Sequence, residues 1–445
     1  MGINVTMIGG GSSSFVPPLI RSFIQSDVLG GATVTLMDVN EDRVRVMESL
    51  ANKLIDSERS DLRVRSSLDQ REALVDADFV IVAISVGGME AWANDLEIPG
   101  RYGVVMHVAD SIGPGGIFRA LRNAPVLASV ARDVAEVAPD AWIFNYTNPS
   151  PVEALAMRTV PQVNSLALCS CTQHPSSAEW LAEQAGVEPD DIAMPPIVAG
   201  LNHCASVTEL RLKDGTDALA LARDRATNPV VKWALETYGV LPYCWTHWTE
   251  FFPQMQRLEA PYAGTAQGVA MRYGITTHDM DYERARVAGL ERLARGWTAP
   301  DAGPVTLADV PVGDEDEGVE VIDLIEAIVR NGNITLVVNA PNHGAIPNLP
   351  DEAIVEVNAQ INAYGVRPIH AGPLPEALAA HLRHYYDFQR QVVQAALTGD
   401  RTAALHAFLL DPTTQSRLDL EQTQALLDEM LEANRRYLPL FEPRR

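Results

Sequence analysis

An α/β fold built on a doubly wound, mostly parallel sheet is what this 445-residue sequence predicts, and three observations carry the prediction. Residues 4–38 run strand, glycine turn, connection, strand, acidic residue. Apolar runs of strand length then alternate with helical stretches up to the neighbourhood of Cys169. The polar residues of this half also gather where those runs end, and doubly wound sheets bind ligands beyond the carboxyl ends of their strands.

Taken in order, Asn4-Val5-Thr6-Met7-Ile8 is a β-rich run that leads into Gly9-Gly10-Gly11-Ser12-Ser13-Ser14 and an apolar segment. Residues 33–37 form the next strand, closed by Asp38. Glycines let the backbone approach a pyrophosphate, and the helix N-terminus that follows offers N–H groups and a positive dipole end. An acidic residue at the second strand end accepts hydrogen bonds from ribose hydroxyls and favours NAD over its phosphorylated form. Gly9, Gly11, Ser12 and Asp38 are therefore the candidate cofactor residues, joined by Gly87 at a later strand end. Two features depart from the usual fingerprint: Ser14 holds the third glycine position, and Asp38 lies beyond the usual ~20-residue spacing. An ordinary turn is the competing reading of the loop alone.

Residues 44–55 have helical spacing with charges on one face. Residues 79–84 read as a fully buried parallel strand closed by Gly87-Gly88. A helix is expected over 121–137 and a strand over 141–144, which ends in Asn145-Tyr146-Thr147-Asn148-Pro149. Residues 163–168 form another strand and end at Cys169. A thiolate and an imidazole can share a divalent metal, and His203 follows in Gly200-Leu201-Asn202-His203. Two buried core residues are the bland alternative. The gathering of Asp38, Gly87, Asn148 and Cys169 at one rim favours the site reading.

Beyond about residue 195 the alternation weakens, which divides the chain into a dinucleotide-binding domain over 1–195 and a second domain over 196–445. Residues 197–203 and 206–212 look like strands. The segment Pro242-Tyr243-Cys244-Trp245-Thr246-His247-Trp248-Thr249-Glu250 sets His247 and Glu250 three apart, on one face if helical. Residues 300–318 are loop-rich and acidic, 334–339 form a strand, and 374–396, 403–410 and 418–437 are amphipathic helices.

The formal net charge of -24 and the lack of a Lys/Arg cluster exclude a nucleic-acid or anionic-membrane surface. No apolar run reaches the ~18 residues of a membrane span. Cys169, Cys171, Cys204 and Cys244 are too few for a disulfide framework. With no signal peptide in view, a cytoplasmic setting is expected.

Several motifs taken together resemble glycoside hydrolase family 4, the NAD-dependent glycosidases. They are the glycine loop, Leu96-Glu97-Ile98-Pro99 with Tyr102-Gly103, Gly113-Pro114-Gly115-Gly116-Ile117-Phe118-Arg119-Ala120-Leu121-Arg122, and Asn145 to Pro149. The Leu168-Cys169 and Gly200 to His203 motifs continue the match, and Asn339-Ala340-Pro341-Asn342-His343-Gly344-Ala345-Ile346-Pro347-Asn348-Leu349-Pro350 with Glu356-Val357 completes it. The resemblance covers nearly the whole chain. It implies a Rossmann-type domain joined to an α/β domain like that of lactate and malate dehydrogenases. It also implies a mechanism outside the two-carboxylate scheme: oxidation at the sugar C3 by NAD+, elimination after loss of the C2 proton, addition of water, and reduction.

By the same resemblance Cys169 and His203 are metal ligands, with manganese as the metal, and Asn148 and Asn202 contact sugar hydroxyls. The base is Tyr243 or His247, the latter titrating near neutrality. Packed aromatic and core histidine are their plain readings. Ser170 stands where the family usually carries Asp, Asn or His. Trp245 replaces an acidic residue, Cys171 is unusual, and Trp92 takes the place of a phosphate-binding arginine. The Gly113 to Arg119 motif is closer to the branch acting on galactosides, glucosides and hexuronides. Arg119 is a candidate partner for a C6 carboxylate, or an internal salt-bridge residue. α-Hexuronides are thus the expected substrates, ahead of sulfonated hexosides and neutral α-hexosides, and a homodimer or tetramer is expected. The rivals from other classes are a simple sugar or hydroxy-acid dehydrogenase and a non-catalytic NAD-binding regulator.

Overall fold

A computed structural model describes residues 2–169, 178–310 and 320–441. Six parallel strands make up the first half: β1 (Asn4–Ile8), β2 (Thr33–Met37), β3 (Arg63–Ser67), β4 (Phe79–Val82), β5 (Trp142–Asn145) and β6 (Asn164–Ala167). Their spatial order is β3-β2-β1-β4-β5-β6, the order of a dinucleotide-binding sheet. The second half supplies β7 (Ile192–Gly200), β8 (Ser206–Leu212), β9 (Leu241–Pro242), β10 (Ala270–Met271), β11 (Ile275–Thr276), β12 (Ile334–Pro341), β13 (Ile354–Asn362) and β14 (Gly365–Pro368). β12 pairs antiparallel with β6, and the sheet continues β12-β13-β7-β8-β9 with β14 on β13. β10 and β11 form a separate two-stranded ribbon. Residues 195 and 196 lie within β7, which pairs with β8 and β13.

The expected strands at 4–8, 33–37 and 206–212 match β1, β2 and β8 residue for residue. β3 escapes a sequence reading because its side chains alternate between exposed and half-buried, so no apolar face marks it. β13 escapes for the opposite reason. It is buried almost throughout yet carries Glu356 and Asn358, which interrupt the apolar run. The strand expected over 197–203 ends at Gly200, and the chain turns there, with His203 at φ +65°.

Six helices connect the first strands: α1 (Val16–Gln25), α2 (Glu41–Glu58), α3 (Gln70–Leu74), α4 (Gly88–Arg101), α5 (Gly113–Val137) and α6 (Ser150–Met157). α5 is the central one. Its glycines let it start hard against α4 and the preceding loop: a Cβ at Gly115 would meet the Asp95 carbonyl of α4 at 2.6 Å, and one at Gly116 the Ser111 carbonyl carbon at 2.5 Å. Ile117, Phe118, Leu121 and Ala124 of α5 pack into a core shared with the C-terminal helices Glu376–Thr398, Arg401–Leu410 and Leu420–Ala433. Among the described residues no helix is long and apolar enough to cross a membrane.

Candidate active site at the carboxyl edge of the sheet

Gly9 sits at φ +98°, and a Cβ there would lie 2.1 Å from the Ala83 carbonyl oxygen, so only glycine fits between β1 and β4. The Asp38 carboxylate accepts the Gly11 N–H at 2.9 Å and the Asn40 N–H at 2.9 Å. The Ser12 hydroxyl accepts the Phe15 N–H at 3.1 Å, just ahead of α1. The glycine loop and the acidic strand end are thus tied together. Gly87, at φ +87°, precedes α4 and packs its Cα face on Ala91 and Tyr437.

At the far end of the parallel set, Cys169 follows β6 and His203 follows β7. Cys169 Sγ lies 3.3 Å from His203 Nε2, and both side chains are buried. That separation suits two ligands held at ~2.3 Å (sulfur) and ~2.1 Å (nitrogen) from one ion. The other ring nitrogen, His203 Nδ1, is 2.6 Å from Ser111 Oγ and 3.6 Å from Asp110 Oδ1. The Ser111 hydroxyl donates to Asp110 Oδ1 at 2.8 Å, and Asn148 Nδ2 donates to Asp110 Oδ2 at 2.8 Å. Burial alone would lower the His203 pKa, but Cys169 and Asp110 overcome it and hold the imidazole well above its usual range. Burial would likewise raise Asp110; His203 outweighs it and keeps that carboxyl well below its usual range.

His247 closes the cluster. Its ring lies 4.3 Å from that of His203, and Asp110, His203 and His247 place ligand-capable atoms within 4.8 Å of one another. The expected proximity of His247 and Glu250 is electrostatic in the structure: the His247 charge opposes the rise that burial and Asp110 impose on the Glu250 carboxyl, while each residue also has other hydrogen-bond partners. His247 Nδ1 is 2.9 Å from Cys244 Sγ. Glu250 Oε1 accepts the N–H groups of Val108, at 2.7 Å, and Ala109, at 3.2 Å. These charge-assisted bonds tie the carboxylate to the segment that leads into Asp110. His107 and His278 extend the row of imidazoles, with ring centroids 5.6 Å from His247 to His107 and 5.3 Å from His107 to His278. Trp92 stands at its end, donating to the Val108 carbonyl at 2.8 Å and lying 5.0 Å from the His278 ring.

Asn202 Nδ2 donates to Glu356 Oε1 at 2.9 Å, and Asn339 Nδ2 donates to the same oxygen at 3.0 Å. Asn202 Oδ1 and Glu356 Oε2 remain buried without a hydrogen-bond partner among the described residues. Arg119 Nε donates to the Asn148 carbonyl at 3.3 Å, and its charge acts on Asp110 and on the fully buried Glu153. Tyr243 packs in a separate apolar cluster with Val207, Leu210 and Leu241, its N–H on the Ala205 carbonyl. The structure therefore brings Cys169, His203, Asn148 and His247 into one contact network, with Arg119 and Asn202 attached at its edges. Asp110, Ser111 and Glu356 are the members that sequence reasoning missed. An Asp-Ser pair inside the otherwise apolar run before Gly113 was the available signal. Ser170 and Cys171 lie outside the described residues.

The family 4 glycosyl hydrolase profile matches residues 4–184, and that of the family 4 glycosyl hydrolase C-terminal domain matches residues 198–414. An α-galactosidase of Bacillus subtilis is 30% identical over 98% of this chain and 99% of its own length. An α-galacturonidase of the same organism is 28% identical, covering 97% of each chain. Among solved structures, a 6-phospho-α-glucosidase from gut microorganisms, in complex with NAD and Mn2+, superimposes with a TM-score of 0.79 at 22% identity, over 98% of this chain and 99% of that one. With two adjoining profiles spanning most of its length, the chain belongs to family 4 of the glycosyl hydrolases.

Proposed function

We propose that this chain hydrolyses α-hexuronides by oxidation, elimination, addition of water and reduction, using NAD+ and a divalent metal, manganese for preference. The observation that carries the reading is the Cys169–His203 contact of 3.3 Å at the carboxyl edge of a sheet whose other end holds the Gly9–Asp38 cradle. NAD+ would supply a reversible hydride acceptor and the metal a Lewis acid for the sugar C3 oxygen. Gly9, Gly11, Ser12 and Asp38 would hold the nucleotide, with Gly87 beside it, and Cys169 and His203 the metal. Ser111 and Asp110 orient the His203 ring from behind, as carboxylates and hydroxyls do for metal-bound histidines.

Asn148 and Asn202, whose Oδ1 is buried without a hydrogen-bond partner among the described residues, would contact sugar hydroxyls. His247, ring to ring with His203, is the first candidate for moving the C2 proton, and Tyr243 is the alternative. Arg119 supports a carboxylate at the sugar C6: it is half-buried, makes no ion pair among the described residues, and sits against Asn148. Relatives named α-galacturonidases point to the same class.

Aryl α-galacturonide, α-glucuronide, sulfoquinovoside, α-galactoside and 6-phospho-α-glucoside should be compared by kcat/KM with NAD+ and Mn2+ present. A uronide is expected to lead. A leading phosphosugar would overturn the substrate assignment. Hydrolysis in D2O should place deuterium at C2 of the released sugar. Cys169→Ala and His203→Ala should each remove most activity and leave NAD+ binding nearly intact, because the cradle sits on other strands. Full turnover by dialysed, metal-free and cofactor-free protein would sink the whole reading.

A further inference from the structure

Three arginines line one cavity of about 300 Å³. Arg257 follows the segment that carries His247 and Glu250. Arg272 belongs to the turn between β10 and β11, and Arg417 precedes the helix Leu420–Ala433. The backbone locks the first two side by side, since the Arg272 N–H donates to the Arg257 carbonyl at 2.8 Å. Arg417 is pinned from beneath, its Nη2 donating to the Pro253 carbonyl at 3.0 Å and the Gln256 carbonyl at 2.7 Å. Val105 and Leu258 supply an apolar wall.

None of the three arginines forms an ion pair among the described residues, in a chain with 58 acidic side chains against 34 basic ones. A single unpaired surface arginine is unremarkable. Three line one concavity, and around Arg417 burial, and after it the Arg257 charge, act against the guanidinium. A planar guanidinium presents paired N–H donors that match the oxygens of a phosphate, and several forks suit a tetrahedral dianion better than a planar carboxylate.

We propose that the cavity bounded by Arg257, Arg272 and Arg417 is a binding site for a phosphate-type oxyanion, either inorganic phosphate or the monoester of a small metabolite whose carbon skeleton rests on Val105 and Leu258. The site shares no lining residue with the Cys169–His203 cluster and does not rest on the glycosidase reading. Its ligand would tie together the loop that leads to His107 and Asp110, the segment after Glu250, the β10–β11 ribbon and the C-terminal region.

The test is thermal unfolding of the purified chain titrated with inorganic phosphate, with glycerol 3-phosphate, and with chloride at matched ionic strength. A saturable rise in Tm with phosphate, absent with chloride, is expected. A larger response to glycerol 3-phosphate would identify the monoester as the source, and an equal one the free ion. The Arg257→Ala/Arg272→Ala variant should lose the saturable rise and, without phosphate, keep its Tm or exceed the parent's, because repulsion on Arg417 is relieved. Should that variant fail to fold, Arg257→Gln and Arg272→Gln singly should each weaken phosphate binding about tenfold in calorimetry. No phosphate effect beyond chloride, or a saturable effect that survives these substitutions, overturns the proposal.

Discussion

The two nitrogens of the His203 ring are claimed by different parts of the chain: Nε2 faces Cys169 after β6, and Nδ1 faces Ser111 in the loop before α5. Cys169 was legible because it closes an apolar run at a strand end, and His203 because it ends the Gly200-Leu201-Asn202-His203 motif. Ser111 and Asp110 were not, since nothing in their spacing relates them to residue 203. Such supports typically cost 10–100-fold in metal affinity when removed. Ser111→Ala is therefore expected to weaken Mn2+ binding about tenfold in titration calorimetry, with NAD+ affinity unchanged. An unaltered Mn2+ affinity would leave Asp110 as the only residue orienting the ring.

β13 illustrates the element scale. It lies in the sheet interior between β12 and β7, yet it places Glu356 where two asparagine side chains converge on one carboxylate oxygen. Burial, and after it the neighbouring Cys169, push the Glu356 carboxyl from its ordinary 4.5 up to about 8. Between those values the folded chain keeps a proton that the unfolded chain has released. Stability contributed by this group is therefore present at low pH and falls as pH rises through the window, by up to about 1.4 kcal/mol per pH unit. Glu356→Gln keeps the acceptor for both amides and removes the titration. Urea unfolding from pH 5 to 8.5 should show a flatter decline for Glu356→Gln than for the parent, with the variant the more stable at the alkaline end. Parallel curves would exclude Glu356 as a source of the slope. The same buried polar residues hid the strand from a reading by apolar pattern, whereas β4, buried and apolar throughout, was plain.

Across the whole molecule, distant segments are held in register by one buried ion pair. Arg122 of α5 reaches Asp95 of α4 through both guanidinium nitrogens, Nη1 at 2.9 Å and Nη2 at 2.5 Å. Its Nε donates to the Val86 carbonyl at 3.1 Å, and Nη1 also reaches Asn434 Oδ1 at 3.1 Å, near the C-terminus. Removing one partner of a buried pair strands the other charge, at about 3–5 kcal/mol. Arg122→Ala should lose about that much in chemical denaturation. A loss below about 1 kcal/mol would mean that water replaces the guanidinium.

The doubly wound fold class, the cradle after β1, the acidic end of β2, and the strand-end positions of Asn148 and Cys169 were all legible in the sequence itself. Each depends on local periodicity or on a residue type suited to one turn, and those signals lie within a few residues of one another. Only the tertiary structure decided that β12 and β13 join the parallel set, so that Glu356 and His203 meet beside Cys169. It also decided that Glu250 clamps the Val108 and Ala109 backbone while His247 turns to Cys244 and His203. The physical reason is range: pairing between distant strands, and the choice of partner for a buried carboxylate, depend on which donors the folded chain brings within about 3 Å, and linear spacing carries no such distance.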